Sequence, residues 1–402
     1  MKPFRRLISK AEALDIIKTS ITPIERVESI LLEDSYGRIL AEDVIAAFNV
    51  PPFDRSAMDG YALKAQDTYG ASNFSPKKLK LVGVEHAGEC FEGELVSGEC
   101  VQVATGSPMP RGADAVIMAE DTKKIYDCIE VYHPVYPGAN VSFKGEDIRK
   151  GDIAVQKGKQ LSPGKIGAVA ALGIGCIKVF AKPLVSIIST GSEVKPLEST
   201  LEPGEIYDIN SYTLMSIVSS NGCIPKNEGI IPDDHEAIRK ALRRATQNDV
   251  IVISGGSSVG VKDLLYDLVE EMGEVKFHGV QVKPGKPTLF GIINEKPIFC
   301  MPGNPTSCLS NAYIFLIPTL RKIARLPAAE PKTVKAKMGA RVVASSGREQ
   351  VLTVKIEKGI AYPVFKKSGT ITSMTNAEGY IVLPINIDTI EEGEEVEVTL
   401  LE

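Results

Sequence analysis

Residues 249–260 read Asp-Val-Ile-Val-Ile-Ser-Gly-Gly-Ser-Ser-Val-Gly. The β-branched run Val250, Ile251, Val252, Ile253 is too short for a helix and shows no polar alternation, which predicts a strand buried on both faces. Glycines end the run and a helical pattern follows Lys262, which completes a strand, loop and helix unit. The same unit recurs on either side. LVSIIS (184–189) runs into Thr190-Gly191-Ser192, a helix is predicted from Asn210 to the Asn221-Gly222 stop, and another over 234–246. KPIFCM (296–301) leads into the loop 302–307 and a long apolar helix to about Arg325, with a kink expected at Pro318. Apolar strands alternating with amphipathic helices predict a doubly wound α/β domain built on a parallel sheet.

Outward from this core the texture changes. Ser9-Lys10-Ala11-Glu12 is a capping box ahead of apolar Ala13, Leu14, Ile16 and Ile17, so a short amphipathic helix is predicted there, and a second helical stretch over 23–32. LKLVGVEHAG (79–88), ECVQVATG (99–106), DAVIMAED (114–121) and IEVYHPV (129–135) are short β-rich runs separated by Gly and Pro, as in a small all-β module. Helix is expected again from Ser162-Pro163 to Gly173, so the β module reads as an insertion into a discontinuous helical segment. TVKAKM (333–338), QVLTVKI (350–356), GYIVLPI (379–385) and EEVEVTLL (394–401) predict a C-terminal β-barrel or sandwich. The expected division is 1–48 plus 148–181, 49–147, 182–328 and 329–402.

Within 402 residues, 46 basic and 51 acidic side chains leave a net charge of −5, which argues against a nucleic-acid binder. Cys90, Cys100, Cys128, Cys176, Cys223, Cys300 and Cys308 are scattered, odd in number and without a C-x-x-C pair, which fits reduced thiols rather than disulfides or a zinc site. MKPFRRLISKAEAL lacks a signal-peptide apolar core, and the apolar stretch around 166–177 is far shorter than the ~20 residues of a membrane span. The expectation is a cytoplasmic protein with no membrane and no nucleic-acid partner.

In an open parallel sheet, ligands bind at the carboxyl ends of the strands. There the loop 254–260 offers backbone N–H groups and serine hydroxyls to a phosphate or another oxyanion. Lys283-Pro284-Gly285-Lys286-Pro287 adds two cations, and the loop 302–307 opens a further helix. Glu193, Asp208, Asp233 and Asp263 stand beside these loops, a setting for Mg²⁺, although each acid alone also reads as a helix cap or turn residue. Gly256-Ser257-Ser258-Val259-Gly260 matches a nucleophile elbow. Asp263 and His278 follow it too closely to come from later strands, which argues against a serine hydrolase. Neither G-x-G-x-x-G opening a helix nor G-x-x-x-x-G-K-[ST] is present. A second dense segment, Val50-Pro-Pro-Phe-Asp-Arg-Ser-Ala-Met-Asp-Gly-Tyr61, holds Asp54, Ser56 and Asp59 on a stiff turn, with Thr105-Gly106 and Gly145-Glu146-Asp147-Ile148 in the same module.

Taken in order, VPPFDRSAMDGYA, ATGSPMPRGADAV, GEDI, STGSEV, SGGSSVG with Asp263, KPGKP and MPGNPTS closely resemble the molybdopterin molybdenumtransferase (MoeA) family, which includes the C-terminal half of gephyrin. The resemblance implies a homodimer whose subunit has a discontinuous helical segment, an inserted β module, an α/β molybdopterin-binding domain and a C-terminal β-barrel. It implies insertion of molybdate into adenylylated molybdopterin, with Mg²⁺-dependent pyrophosphate cleavage and AMP release. The family's functional positions fall on Asp59, Thr105, Asp147, Glu193, Asp233 and Asp263, with Glu193 and Asp263 as metal ligands. Substrate contacts fall on Ser254, Gly255, Gly256, Ser258, Gly260, Lys283, Lys286, Pro287, Pro302, Gly303, Asn304, Ser307, Arg348, Ser368 and Ser373. Asp59 and Asp147 would act across the dimer interface, and a molybdopterin adenylyltransferase and molybdoenzymes are implied as partners. Ser192 stands where the family commonly has Asp, Ser257 where it has Val, and Lys367 where Gly often precedes Ser-Gly. The alternatives are the adenylyltransferase step itself, a tungstate-using homologue, and an interaction scaffold of the gephyrin kind.

Overall fold

The computed structural model describes residues 7–86, 88–255, 261–344, 347–364, 370–387 and 389–401, and of 261–263 the backbone course alone. These described residues form two compact units, one within 29–36 and 40–178, the other within 7–28, 37–39 and 179–401.

The first unit is built on a six-stranded sheet in the order Ala115–Met118, Gly60–Leu63, Glu99–Val103, Lys77–Glu85, Cys128–Val131, Thr122–Ile125. Alternation along these strands gives the sheet two apolar faces. Leu63, Leu79, Ile117 and Ile129 pack in one cluster, and Ala62, Val101, Val103 and Val116 in another. Pro163–Ala171 is helical as expected, with Pro163 in its first turn, where a missing N–H costs nothing. The helix expected over 23–32 does not form. Val27–Leu31 is a strand, and Val27 and Leu31, which stand at helical spacing from Ile24, are about half exposed, so that spacing marks no buried stripe.

In the second unit the apolar strands predicted from sequence all form, in a six-stranded sheet ordered Ile224–Ile231, Leu184–Thr190, Val250–Gly255, Lys296–Met301, Leu289–Ile293, Gly273–His278. The first four are mutually parallel and the last two extend the sheet antiparallel. Val250 and Val252 enter one core with the helices Lys10–Ser20 and Asn210–Ser220, while Ile251 and Ile253 enter another with His235–Ala245 and Val261–Met272. Strands buried on both faces have no polar residues to alternate, which is why the run 250–253 is uniformly apolar. Ser9 caps its helix by accepting from Glu12 N at 3.1 Å, and Asp234 caps another by accepting from Ala237 N at 2.9 Å. The helix that opens at Pro305 does not break at Pro318, where the sequence predicts a kink, but changes type ahead of it. Pro305–Asn311 gives way to a π-helical turn, Ala312–Leu316, before Ile317–Ile323, because Pro318 has no N–H to bond Ile314.

The C-terminal strands close a five-stranded barrel. Glu349–Glu357 pairs with both Ile360–Pro363 and Gly379–Leu383, and Thr333–Met338 and Glu395–Leu400 complete the circuit. Met338, Leu352, Val354, Ile381 and Val398 fill its interior. No helix among the described residues is long and apolar enough to cross a membrane.

Candidate active site

The parallel register brings Ser189, Ser254 and Met301 level, and beyond them Thr190, Gly255 and Ile231. Here the chain leaves the sheet through its polar loops. Gly255 has φ +145°, and a Cβ on it would stand 1.9 Å from Thr190 O, so only glycine lets the strand end this close to its neighbour. Gly191 has φ +148°, and a Cβ there would meet both Glu193 carboxylate oxygens at 3.0 Å, which places that exposed carboxylate over the Gly191 turn. Thr190 Oγ1 donates a short hydrogen bond to Asp233 Oδ1, so Asp233 is held at the strand end although 43 residues separate the two.

Beneath these carboxylates lies a buried polar layer. Asp208 Oδ1 accepts from Ser211 N at 3.0 Å, and Ser211 Oγ meets Ser189 Oγ at 2.8 Å. Asn210 Nδ2 donates to Ser254 Oγ at 2.7 Å and to Gly303 O at 2.8 Å, and Ser254 Oγ lies 3.7 Å from Cys308 Sγ. Ser254 is 1% exposed, so its hydroxyl is engaged with Asn210 inside the fold instead of facing a ligand as expected from the sequence; Ser307 and Ser373 are likewise buried. The loop 283–287 is pinned by a third set of contacts. Asn311 Nδ2 donates to Gly285 O at 2.9 Å and to Thr288 Oγ1 at 2.5 Å, and a Cβ on Gly285 would fall 2.1 Å from that nitrogen. Lys283 and Lys286 are half-buried on this braced turn, and Val282–Lys283 pairs in parallel with Glu349 and Gln350 of the barrel, next to Arg348. Thr306 Oγ1 donates to Thr370 O at 3.1 Å, which ties the loop 302–307 to the segment carrying Ser373.

In the other unit, the loops around Asp59 converge by backbone pairing. Val50 bridges Ile148, Arg55 bridges Pro108, and Val141 and Ser142 pair with Ser56 and Arg55. Asp59 Oδ1 accepts from Thr105 N at 2.7 Å and Thr105 Oγ1 at 2.9 Å, and these bonds, the backbone one first, hold its carboxyl below the ordinary aspartate value. Gly60 permits the turn by close approach, since a Cβ there would lie 2.0 Å from Ile117 O. Asp147 sits exposed in the same loop cluster, its N–H donating to Val50 O at 3.1 Å.

Three family models cover the chain in order: the "MoeA N-terminal region (domain I and II)" at residues 8–173, the "Probable molybdopterin binding domain" at 186–322 and the "MoeA C-terminal region (domain IV)" at 335–401. A molybdopterin molybdenumtransferase of Haemophilus influenzae is 36% identical over 299 residues, 74% of this chain and 72% of its own length. One from Staphylococcus aureus is 29% identical over 381 residues, 93% of this chain and 91% of its own. The crystal structure of a molybdopterin biosynthesis MoeA protein from Pyrococcus horikoshii superposes with TM-score 0.85 at 40% identity, covering 99% of this chain and all of that one. The chain belongs to the MoeA family.

In this MoeA-family chain, Gly256, Ser258, Gly260 and Ser368 and the side chain of Asp263 lie outside the described residues. Pro287, Gly303 and Asn304 sit on the braced loops, with Asn304 exposed ahead of the helix Pro305–Asn311, and Pro302 is buried. Among the described residues no three His, Cys, Asp or Glu side chains gather as a metal cage. The donors that are present are oxygens, and Mg²⁺ is held through one or two carboxylates plus substrate phosphates rather than by an all-protein cage. Sequence reasoning missed Asn210 and Thr190 as parts of the site, because their partners lie 44 and 93 residues away for Asn210 and 43 for Thr190.

Proposed function

We propose that this chain inserts molybdenum into molybdopterin, taking adenylylated molybdopterin and molybdate, cleaving the pyrophosphate with Mg²⁺ and releasing AMP. The observation that carries this is the carboxyl edge of the α/β sheet. There Asn210 ties the end of the strand Val250–Gly255 to Gly303 of the loop 302–307, Asp233 is bonded at the neighbouring strand end, and the Glu193 carboxylate folds over the Gly191 turn. Lys283, Lys286 and Arg348 neutralise phosphate and molybdate oxygens, the loop N–H groups hold the phosphates, and Glu193 and Asp263 hold the metal. Bound Mg²⁺ supplies charge neutralisation at the pyrophosphate. The protein's share of catalysis is positioning and stabilisation of charge on the displaced phosphate. The chain acts as a cytoplasmic homodimer, with Asp59 and Asp147 offered to the partner subunit's substrate, and Asp59 is kept ionised by Thr105.

The test is incubation of the purified protein with adenylylated molybdopterin, Mg²⁺ and either molybdate or tungstate, measuring AMP and active cofactor. AMP release that requires Mg²⁺ and an oxyanion, and that Asp263→Ala abolishes without unfolding the protein, is expected. Adenylylation of free molybdopterin from ATP, with no oxyanion-dependent AMP release, overturns the reading. Sedimentation of the protein as a monomer at working concentration removes the cross-subunit role of Asp59 and Asp147.

A further inference from the structure

Asn311 is the last residue of the helix Pro305–Asn311 and is fully buried, 26 residues along the chain from the glycine it grips. Its amide closes a ring of three hydrogen bonds on the turn 283–287. Nδ2 donates to Gly285 O at 2.9 Å and to Thr288 Oγ1 at 2.5 Å, and Thr288 Oγ1 in turn donates to Gly285 O at 3.0 Å. Gly285 O only accepts, so the amide nitrogen and not the amide oxygen faces the turn. The Thr288 proton is directed at the same carbonyl, so the Thr288 oxygen accepts from Asn311. Asn311 Oδ1 is left buried without a hydrogen-bond partner among the described residues. An unmatched buried acceptor opposes folding, so Asn311 is no mere filler of the core; what its amide contributes is the grip on Gly285.

The two ends of the turn are held by backbone. Val282 and Lys283 pair with Glu349 and Gln350, and Lys286 O accepts from Val280 N at 2.9 Å. Between them Gly285 has φ +110° and approaches so closely that a Cβ would fall 2.1 Å from Asn311 Nδ2. The placement of Lys286 relative to Lys283 therefore depends on where Gly285 O is held. We propose that Asn311 is a positioning residue: by gripping Gly285 it sets the spacing at which Lys283 and Lys286 together receive one multiply charged oxyanion of the substrate. The proposal rests on the reading of these lysines as neutralising phosphate and molybdate oxygens. Two cations already fixed on a braced turn meet an anion with little further ordering, and a shift on the order of 1 Å misaligns them.

Asn311→Leu separates positioning from support of the fold. It keeps the shape of the side chain, removes the unmatched acceptor and leaves Gly285 O its Thr288 donor, so the melting temperature should stay within a few degrees of wild type. A methyl group approaches a carbonyl oxygen no closer than about 3.3 Å, however, so the turn must move. AMP release with Mg²⁺ and molybdate is measured as kcat/KM for the wild type, Asn311→Leu, Lys286→Ala and the double variant. Asn311→Leu is expected to lose about tenfold and Lys286→Ala about thirtyfold, with the double variant within about twofold of Lys286→Ala, because no second cation is left to position. Losses that multiply in the double variant, or an Asn311→Leu protein as active as wild type, overturn the proposal. Should Asn311→Leu fail to fold, Thr288→Val, which opens the same ring, takes its place in the cycle. A loss of about threefold that vanishes in the Lys286→Ala background then supports the proposal, and a multiplying loss or none overturns it. A wild type without oxyanion-dependent AMP release, or a fully active Lys286→Ala protein, strikes the proposed role of the lysines and this inference with it, whereas full activity of Asn311→Leu alone strikes this inference only.

Discussion

The two units each set a carboxylate against a threonine, but on different foundations. Thr190 is fully buried at a strand end, and the Asp233 it holds stands over a layer of interlocked Ser, Asn and Asp side chains. Thr105 and Asp59 are both exposed, and what holds them is a turn of backbone, with Thr105 giving both its N–H and its hydroxyl to one oxygen. In the buried arrangement one side chain, Asn210, braces both the strand end at Ser254 and the loop residue Gly303. The exposed one controls a charge and little else. Substitutions in the first region should therefore be felt as stability and geometry, and in the second as titration.

The largest effect is expected where both regions rely on a glycine. Gly255→Ala meets Thr190 O at 1.9 Å and also needs φ +145°, so backbone clash and strained conformation add, for a loss of about 3 kcal/mol or more in denaturant unfolding. Gly60→Ala meets Ile117 O at 2.0 Å, but no positive φ is required there, so the backbone clash acts alone and a smaller loss of about 2 kcal/mol is expected. An equal loss at both positions would mean that the α/β edge is no stiffer than the β module.

Removing the threonine hydroxyls comes next. Thr190→Val leaves the half-buried Asp233 without its donor and should cost about 1–2 kcal/mol in stability. Thr105→Val should leave stability nearly unchanged, because Asp59 is exposed and keeps the Thr105 N–H. It should instead raise the Asp59 pKa toward its ordinary value. The sign follows from the depressed native value. The contribution of ionised Asp59 is present above the unfolded aspartate pKa near 4 and is lost as pH falls through the native pKa, so raising the native value moves the loss to higher pH. Carboxyl-carbon NMR titration of Asp59 in the two proteins measures the shift, and the acid limb of AMP release should move with it. An unmoved titration would show that the backbone N–H alone sets the charge.

The same contrast explains what could be read from sequence. Uniform apolar strands, capping residues such as Ser9 and Asp234, and the glycine-rich loops are local signals, and they led to the α/β sheet, the barrel and the loops of the site. The strand Val27–Leu31 was hidden because its residues are largely exposed, so no buried face declared a period. The antiparallel extension of the sheet was hidden because parallel and antiparallel strands buried on both faces look alike in sequence. Thr190, Asn210 and the burial of Ser254 depend on contacts across 43 to 93 residues, which no local pattern encodes. Asp59 and Thr105, in contrast, lie in recognisable local motifs, yet the bond between them spans 46 residues and only the fold reveals it.

The smallest effect expected is chemical rather than energetic, and it maps the contrast onto thiols. In the α/β unit Cys223 and Cys308 are buried and their thiols are pushed up by burial to about 12, and Cys300, also buried there, is raised for the same reason. Thiolate, not thiol, is the nucleophile, so at neutral pH these groups are inert as well as inaccessible. In the other unit Cys100 is raised to about 12 by burial, but Cys90 and Cys176 are exposed and Cys128 is partly so. Brief alkylation of the native protein, followed by peptide mass mapping, should label Cys90 and Cys176 first, then Cys128, with no label on Cys223, Cys300 or Cys308 until the protein unfolds. Cys308 is the informative one, since its Sγ lies 3.7 Å from the Ser254 hydroxyl in the buried polar layer. Label on Cys308 at the same rate as Cys90 would mean that the polar layer opens in the native state. The rigid half of the comparison would then be lost, even with the activity intact.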